Sequence, residues 1–315
     1  MISTITPAER LNRLQSLHER KLVTSRTVNG KTVYKYTRRV FWESLWNLDP
    51  LLLEARGLVL DAAGNILVRP FTKVFNYMEN GTTFPRDEEV IVVEKKNGFL
   101  GVVSVYTDAT GTIRSLVSTS GSLDSDFVTL ATKYLGAEFL DRIATSEYVD
   151  TTYMFEICAP EDPHIIQEDY NVYLIGARSV LDETVYTEQE LDILCDQWSA
   201  SSIASFHRPQ VRKDLTRFSD VVREAKTVKH EGFMVYNKDY TKGLKIKSPY
   251  YLGKKFLSRS KKTEMIWTQP DKAKEMLDEE FYFLIDELPK AISLEDWKEM
   301  DDISRLRLVE KALDT

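Results

Sequence analysis

Short apolar segments alternate with turn residues along the first third of the chain, and this pattern predicts a series of β-strands. The segments are rich in Val, Ile, Leu and Tyr, and pairs of Asn and Gly separate several of them. The predicted strands of this part are Thr32–Tyr36, Gly57–Asp61, Ile66–Pro70, Val90–Glu94, Phe99–Tyr106 and Ser115–Thr119. A helix is predicted before them over Pro7–Arg20, because its leucines recur at helical spacing.

The second half of the chain mixes helical and strand patterns. Helices are predicted over Asp124–Tyr134, Ala137–Ala144, Thr187–Gln197 and Asp214–Ala225, and strands over Tyr153–Cys158, Val172–Ser179, Phe233–Asn237 and Gly243–Lys247. After about Lys254 the pattern is helical only, with amphipathic stretches at 271–288 and 293–313. We therefore predict an α+β fold with two domains, a mixed body of residues 1–253 and a small all-helical domain of residues 254–315.

The composition is that of an ordinary globular protein, with 43% hydrophobic and 29% charged residues. The two cysteines, Cys158 and Cys195, lie far apart without CxxC spacing, which argues against a disulfide scaffold and favours a reducing compartment. No apolar run approaches the roughly 20 residues of a membrane span, and the N-terminus lacks a signal-peptide core. We expect a cytoplasmic protein with no membrane partner.

The net charge of −7 is concentrated at the C-terminal end. Residues 261–315 carry 9 basic and 15 acidic side chains, so the preceding part of the chain is close to neutral. A local basic groove for nucleic acid is therefore compatible with the main body, whereas the acidic tail repels phosphates.

Several common catalytic motifs are absent from the sequence. It contains no GxxxxGK[ST] phosphate loop, no GxGxxG after a strand, no HExxH and no GxSxG, and its four histidines form no local cluster. A zinc hydrolase or a serine esterase therefore has no support in the sequence.

The candidate chemistry begins at Lys95. The strand Val90–Glu94 leads into Lys95-Lys96-Asn97-Gly98, where the Asn-Gly pair predicts a tight hairpin to the next strand. Taken alone, two lysines beside such a turn are typical of a solvated hairpin tip. The functional interpretation depends on five further segments, in chain order Arg56-Gly57, Arg69 to Asn76, Phe155-Glu156, Glu231-Gly232 and Lys245 to Tyr251.

Together these segments resemble the RNA ligase 1 family of ATP-dependent phage and fungal-type RNA ligases, which are covalent nucleotidyltransferases. The resemblance covers roughly residues 30–252. The matching segments are the lysine signature KxxG at Lys95–Gly98, the Arg-Gly pair at Arg56, the Arg-Pro segment from Arg69 to Asn76, the strand glutamate Glu156, the strand Leu174–Arg178, the pair Glu231-Gly232 and the final KxKSxxY from Lys245 to Tyr251. One departure is Ser120, which stands where these ligases usually carry a basic residue.

The resemblance implies a nucleotidyltransferase domain of antiparallel sheets flanked by helices, followed by the small helical domain. It also implies an enzyme, an ATP-dependent RNA ligase that joins 5′-phosphate and 3′-hydroxyl RNA ends through lysyl-AMP and RNA-adenylate intermediates. The implied substrates are ATP and single-stranded RNA ends such as cleaved tRNA, and an end-healing kinase or phosphatase is a further implied partner. If the protein is phage-encoded, its location is the host cytoplasm.

The predicted site residues fall into groups that bind the reacting phosphates, the ribose or the metal ion. A lysine amine attacks phosphorus only when neutral, so Lys95 must lie among cations or partly buried. Lys245 and Lys247 share one strand face, which suits two oxygens of the α-phosphate. Glu231 is the carboxylate expected to bind Mg²⁺, for which Mn²⁺ can substitute. The roles that follow from the resemblance are pyrophosphate binding by Arg56 and Lys73, ribose binding by Glu156 and ATP binding by Gly98.

Phe75 and Tyr251 are candidates for stacking on the nucleotide or on RNA, with core packing as the alternative for both.

Two rival functions are considered. One is a DNA ligase or capping-type enzyme, which carries a β-barrel after the last lysine motif; here the pattern after Lys247 predicts helices instead. The other rival is a nucleotide- or RNA-binding relative without catalysis, which the intact set of lysines and glutamates argues against.

Overall fold

The computed structural model describes residues 2–258, 263–276 and 281–313. The chain forms two compact units that interleave along the sequence. Unit 1 comprises Met1–Val74, Gly98–Pro163 and Asp169–Pro209, and unit 2 comprises Phe75–Asn97, His164–Glu168 and Gln210–Thr315. The border between the units thus falls inside the Lys95–Gly98 segment. The predicted domain boundary after residue 253 stays a prediction.

Both units combine antiparallel sheets with helices, which confirms the predicted α+β class. The strands are β1 (Val23–Val28), β2 (Lys31–Tyr36), β3 (Arg56–Leu60), β4 (Ile66–Val68), β5 (Phe75–Asn76), β6 (Val90–Glu94), β7 (Phe99–Thr107), β8 (Ile113–Ser118), β9 (Thr151–Ile157), β10 (Val172–Ser179), β11 (Gly232–Asn237) and β12 (Gly243–Lys247). The helices are α1 (Pro7–Glu19), α2 (Arg38–Trp42), α3 (Leu51–Glu54), α4 (Asp126–Leu135), α5 (Ala137–Arg142), α6 (Glu188–Ala200), α7 (Phe218–Ala225), α8 (Pro249–Leu257), α9 (Met265–Thr268), α10 (Pro270–Met276), α11 (Tyr282–Ala291), α12 (Leu294–Glu299) and α13 (Asp302–Leu313).

Unit 1 contains two four-stranded antiparallel sheets, ordered β1-β2-β3-β4 and β10-β9-β7-β8. Strand β9 is buried along its whole length, because helices α4, α5 and α6 cover one face of the second sheet, whereas Met154 on the other face packs with Val33, Val59 and Val68 of the first sheet. Trp198 of α6 and Phe155 of β9 belong to this core, together with Phe139 of α5. Strand β1 was not predicted, since its sequence VTSRTV is mostly polar and exposed.

Unit 2 contains the third sheet, ordered β5-β12-β11-β6, in which only the β5–β12 pairing is parallel. In β12, Leu244 and Ile246 are buried and alternate with half-buried Lys245 and Lys247. The prediction that these two lysines share a face is confirmed. Helix α7 packs against the sheet through Phe218 and its neighbours, and begins four residues later than predicted.

The predicted hairpin at Asn97-Gly98 is wrong. Strand β6 pairs with β11 of the third sheet, whereas β7 pairs with β8 and β9 of unit 1. Gly98 does not adopt the positive φ that a tight Asn-Gly hairpin requires. The segment therefore carries the chain from one sheet to another instead of reversing it.

The C-terminal helices share a core of their own. It includes Phe256 of α8, Phe281, Leu288 of α11 and Trp297 of α12. Helix α8 begins earlier than predicted, at Pro249, because the Ser248 side chain accepts the backbone N–H of Tyr251 and caps the first turn. Residues 277–280, within the predicted amphipathic stretch, lie outside the described residues. In the part of the chain that the structure describes after Lys247 there are helices and no strand, and no described helix of the protein is long and apolar enough to span a membrane.

Candidate functional site

The centre of the candidate site in unit 2 is an ion pair between Lys95 and Glu231. Backbone pairing of β6 with β11 continues one residue beyond the strand, where Lys95 N donates to Gly232 O at 2.9 Å. This places Lys95 Nζ 2.9 Å from Glu231 Oε2. The lysine side chain is 21% exposed and the glutamate 3%, so a nearly buried carboxylate holds an ammonium that solvent or a ligand can still reach.

A second lysine lies beside the same carboxylate. Lys247 is directly opposite Gly232 in the β11–β12 pair, and its Nζ is 4.0 Å from Glu231 Oε1. Lys245 lies on the same face of β12, two residues earlier. The sheet therefore places Lys95 and Lys247 beside one carboxylate, with Lys245 on the same face of β12, an arrangement suited to binding a phosphate whose negative charge increases during a displacement.

Glycine is required at position 232 for two separate reasons. The φ angle of Gly232 is +132°, a conformation that side-chain-bearing residues rarely adopt. A Cβ atom at this position would also lie 2.0 Å from Ile246 O of the neighbouring strand. Gly232 thus allows β11 to approach β12 closely, and this approach positions the preceding residue, Glu231.

His230 and Ser248 form hydrogen bonds with the backbone of Glu231 and Gly232. Gly232 N donates to His230 Nδ1 at 3.1 Å, and the Ser248 hydroxyl donates to His230 O at 2.6 Å. Ser248 N in turn donates to Glu231 O at 3.0 Å. Burial lowers the pKa of His230, which keeps Nδ1 free of a proton and able to accept the Gly232 N–H.

Two residues that contact the site, Asn97 and Glu168, were not predicted from the sequence. The Asn97 amide is 6% exposed; its Nδ2 donates to Glu231 Oε2 at 2.9 Å and its Oδ1 accepts Ile166 N at 3.0 Å. Glu168 pairs with Lys96 at 3.1 Å, so the second lysine of the motif has its own carboxylate. The position of Asn97 two residues after Lys95 was a usable signal, whereas Glu168 has no local sequence signal.

In unit 1, Glu156 holds the glycine of the lysine signature. Its Oε1 accepts Gly98 N at 3.0 Å, and its side chain is largely buried in β9. A Cβ atom on Gly98 would lie 2.3 Å from Ile157 O, so only glycine permits the backbone to run this close to β9. The predicted residues Gly98 and Glu156 are therefore neighbours.

Lys73 and Arg56 both belong to unit 1. Lys73 is largely buried, with its Nζ 5.3 Å from the ring centroid of Trp46 and 5.9 Å from that of Phe41, distances typical of cation–π contacts. Arg56 is the half-buried first residue of β3 and lies opposite Lys35 of β2. Both cations were predicted to bind pyrophosphate.

Two arginines that match the family segments serve the structure around Lys73. Arg69 and Arg178 are both buried and share the buried carboxylate of Glu54, at 3.1 Å and 3.3 Å. Arg178 Nη1 also donates to Thr72 Oγ1 at 2.9 Å. This network fixes the segment before Lys73 with charged hydrogen bonds, which are stronger than neutral ones.

The two predicted stacking residues lie in the fold as follows. Phe75 is half-buried at the start of β5, opposite Leu244. Tyr251 is 5% exposed, and its ring centroid lies 5.4 Å from Lys247 Nζ. The tyrosine ring thus contacts a lysine of the site, and stacking of either ring on a base stays a prediction.

The carboxylates present fit a magnesium ion that substrate phosphates and water complete. Mg²⁺ typically takes one or two protein carboxylates and keeps the remaining positions for phosphate and water. Glu231 is the carboxylate predicted for this role, and its two oxygens lie 2.9 Å from Lys95 Nζ and 4.0 Å from Lys247 Nζ. No group of three or more His, Cys, Asp or Glu residues in the described ranges could form a closed metal site.

Comparison with known proteins gives the family. A family model described as RNA ligase matches residues 54–251, more than half of the chain. The chain belongs to the RNA ligase family. The matched range contains every residue predicted for the site, from Arg56 to Tyr251. No curated protein matches the chain.

Two solved structures share the fold of this RNA ligase family member over nearly its whole length. An archaeal ATP-dependent RNA ligase matches with a TM-score of 0.58 and 15% identity, covering 96% of this chain and 76% of the other. A putative ATP-dependent DNA ligase from Aquifex aeolicus matches with a TM-score of 0.58 and 13% identity, covering 96% and 77%. A Naegleria gruberi RNA ligase with PPi matches with a TM-score of 0.42 and 16% identity, covering 54% and 52%. The predicted fold, that of ATP-dependent ligases, is confirmed.

Proposed function

We propose that this chain is an ATP-dependent RNA ligase that joins 5′-phosphate and 3′-hydroxyl RNA ends through lysyl-AMP and RNA-adenylate intermediates. The observation that carries the proposal is the arrangement around Glu231. Lys95 Nζ lies 2.9 Å from one of its oxygens, and Lys247 Nζ lies 4.0 Å from the other. Lys247 is a cation beside the partly exposed Lys95, and a neighbouring positive charge favours the neutral amine that attacks phosphorus once the ion pair with Glu231 has opened.

The reaction consists of three displacements at phosphorus. In the first, neutral Lys95 Nζ attacks the α-phosphorus of ATP; an N–P bond forms, the bond to the β-phosphate oxygen breaks, pyrophosphate leaves and the amine loses a proton to solvent. In the second, an oxygen of the RNA 5′-phosphate attacks the same phosphorus and Lys95 leaves, taking up a proton. In the third, a 3′-hydroxyl attacks the activated 5′-phosphate, AMP leaves and the strand is sealed.

The remaining residues bind and orient the nucleotide. Lys245 and Lys247 on one face of β12 contact the α-phosphate, where negative charge increases in the transition state. Glu156 binds the ribose hydroxyls while it holds Gly98 N, and Arg56 and Lys73 bind the pyrophosphate. Phe75 and Tyr251 contact the base or the RNA.

Glu231 is the proposed carboxylate for Mg²⁺, or for Mn²⁺ in its place. A bound divalent ion neutralises phosphate charge and withdraws electrons from the phosphorus. In the structure the same carboxylate stabilises the ammonium form of Lys95, because an opposite charge at 2.9 Å favours the protonated state. Glu231 therefore positions Lys95 Nζ before the reaction, and the lysine must lose this partner to become a nucleophile.

Single-stranded RNA ends, including cleaved tRNA, are the proposed substrates, with an end-healing kinase or phosphatase as a partner. The helices after Lys247 favour an RNA ligase over a DNA ligase or a capping-type enzyme, because those enzymes carry a β-barrel at this position.

A sealing assay tests the proposal. The full chain is incubated with ATP, Mg²⁺ and three 5′-phosphorylated substrates: single-stranded RNA, single-stranded DNA and a nicked DNA duplex. We expect the wild type to seal RNA preferentially, Lys95→Ala to seal nothing, and Lys96→Ala to retain sealing because Lys96 pairs with Glu168. Preferential sealing of the nicked duplex would make the chain a DNA ligase, and no sealing of any substrate would support the non-catalytic alternative.

A further inference from the structure

Two cations of unit 1 face each other across neighbouring strands. Lys35 of β2 is the direct partner of Arg56 of β3. Directly opposite residues of an antiparallel pair project from the same face, with Cβ atoms roughly 4.5–5.5 Å apart. Like charges in this position destabilise a sheet unless something compensates them.

A β-bulge creates this pairing. The register of β2 and β3 passes from Tyr34 opposite Leu58 to Lys35 opposite Arg56, so Gly57 is the extra residue on β3. Gly57 has a φ of +97°. Without the extra residue, Arg56 would project from the opposite face of the sheet, because successive side chains alternate. The bulge therefore places Arg56 on the same face as Lys35.

A third segment, residues 119–121, lies against the two strands at this point. A Cβ atom on Gly57 would lie 2.9 Å from Thr119 O and 3.1 Å from the Cα of Ser120. A Cβ atom on Gly121 would lie 3.1 Å from Cδ of Lys35 and 3.6 Å from its Nζ. The Lys35 side chain thus runs along Gly121 to the uncharged segment that contains Ser120.

In the described part of the chain, no carboxylate forms an ion pair with either of these two cations. Among the residues that the structure describes, neither Lys35 nor Arg56 takes part in an ion pair, although Arg26 of the adjacent strand β1 is paired with Asp124 at 2.7 Å. Lys35 is exposed and Arg56 half-buried, so an anion from solvent can reach both side chains. The arrangement therefore places two solvent-accessible cations on one face of the sheet.

We propose that Lys35 and Arg56 together bind a diphosphate, with Lys35 as a phosphate-binding residue that compensates for the absence of charge at Ser120. A diphosphate carries several negative charges on adjacent phosphorus atoms, which suits two long cationic side chains with neighbouring Cβ atoms. The identification of this diphosphate as the β- and γ-phosphates of ATP rests on the proposed function. The binding of the anion itself rests on unit 1 alone.

Calorimetric titration of the full chain with inorganic pyrophosphate, without added divalent metal, tests the proposal. We expect Lys35→Ala to weaken pyrophosphate binding about tenfold or more, since it removes one of two charge-assisted contacts, and to leave AMP binding unchanged. Lys35→Arg should retain pyrophosphate binding. Lys31→Ala is the matched control, because Lys31 is on the same strand but lies over the ring of Tyr106; it should bind pyrophosphate as the wild type does.

Three results would overturn the proposal: no pyrophosphate binding by the wild type, unchanged binding by Lys35→Ala, or an equal loss in Lys31→Ala. A Lys35→Ala variant that loses affinity for 5′-phosphorylated RNA but not for pyrophosphate would also overturn it, by assigning the cation to RNA. Incubation of the same proteins with labelled ATP separates the two hypotheses. Label on the wild type with Lys35-independent pyrophosphate binding rejects only this inference, whereas Lys35-dependent binding without label rejects only the ligase proposal.

Discussion

At the scale of single residues, one buried carboxylate organises the site in unit 2. Glu231 accepts Lys95 and Asn97 on one oxygen and faces Lys247 with the other. A free lysine, with a pKa of about 10.4, is neutral in only about one molecule in 10³ at pH 7.4. In the proposed reaction, Lys95 must therefore lose its contact with Glu231 before the amine can attack phosphorus.

Gly232 gives the first prediction at this scale. Gly232→Ala should destabilise the protein by several kcal/mol and abolish adenylylation, because its Cβ would lie 2.0 Å from Ile246 O at a φ of +132°. Urea unfolding measures the loss. The matched control is Gly30→Ala, at a φ of +74° with no atom within 4 Å of the added Cβ, which should cost only about 1 kcal/mol. Equal losses in the two variants would contradict the close approach of β11 to β12.

His230 gives a prediction about pH. Burial lowers its pKa below the ordinary value of 6.5, so the unfolded chain binds this proton more readily than the folded protein. Stability is therefore fully present above about pH 6.5 and falls as the pH decreases towards the lowered pKa. His230→Asn keeps an acceptor for Gly232 N but does not titrate. We expect the free energy of unfolding to fall less between pH 7 and 5.5 in this variant than in the wild type; identical slopes would refute the role of His230.

At the scale of elements, apolar strands bounded by turn residues were predictable and long-range pairings were not. Strands β6, β10 and β12 begin and end as predicted, since their apolar residues and the flanking turn residues mark them. Strand β5 has only two residues, and its pairing with β12 depends on residues about 170 positions away, which no local pattern reveals.

The Asn97-Gly98 pair shows how a local signal fails. An Asn-Gly pair between two apolar strands strongly favours a hairpin, yet β6 and β7 belong to different sheets. The polar groups of the two residues form hydrogen bonds outside any hairpin: the Asn97 amide donates to Glu231, and the Gly98 backbone N–H donates to Glu156. Residue type and spacing thus singled out Lys95, Glu231, Lys245 and Lys247 as candidates, whose chemical roles stay predictions, but did not reveal the partners that position them.

Because Glu54 is buried between two arginines, we expect its removal to lower the free energy of unfolding strongly. Glu54→Ala should destabilise the protein by about 3 kcal/mol, because it removes the buried carboxylate that Arg69 and Arg178 share and leaves them only the more exposed carboxylate of Glu183. Glu161→Ala, which removes an exposed pair with Lys133, should cost less than about 1 kcal/mol. Chemical denaturation measures both values. A loss below about 1 kcal/mol for Glu54→Ala would show that the network is not a stabilising element of unit 1.

At the scale of the whole molecule, residues of both units are proposed for one reaction, and the helical tail adds a separate core. We predict that the tail guides the choice of RNA through its shape, since its net charge is negative and phosphates repel it. Trp297→Ala should disrupt the tail, at a cost of about 3–5 kcal/mol for a buried tryptophan.

This variant should lower RNA sealing, or change its preference among RNA ends, more than it lowers self-adenylylation. Both activities are measured on the same preparation of the full chain. Phe283→Ala, which replaces an exposed aromatic residue of the same tail, should change neither. An equal loss of both activities in Trp297→Ala would make the tail a structural support only.

The covalent bond at Lys95 is tested most directly by mass spectrometry of the intact protein after incubation with ATP and Mg²⁺. We predict an adduct of about 329 Da, the mass expected for a lysyl-AMP bond, which peptide mapping assigns to Lys95 and which Lys95→Ala does not form. An established RNA ligase treated in parallel verifies the conditions. No adduct on this protein under those conditions, or an adduct on Lys96, would contradict the account.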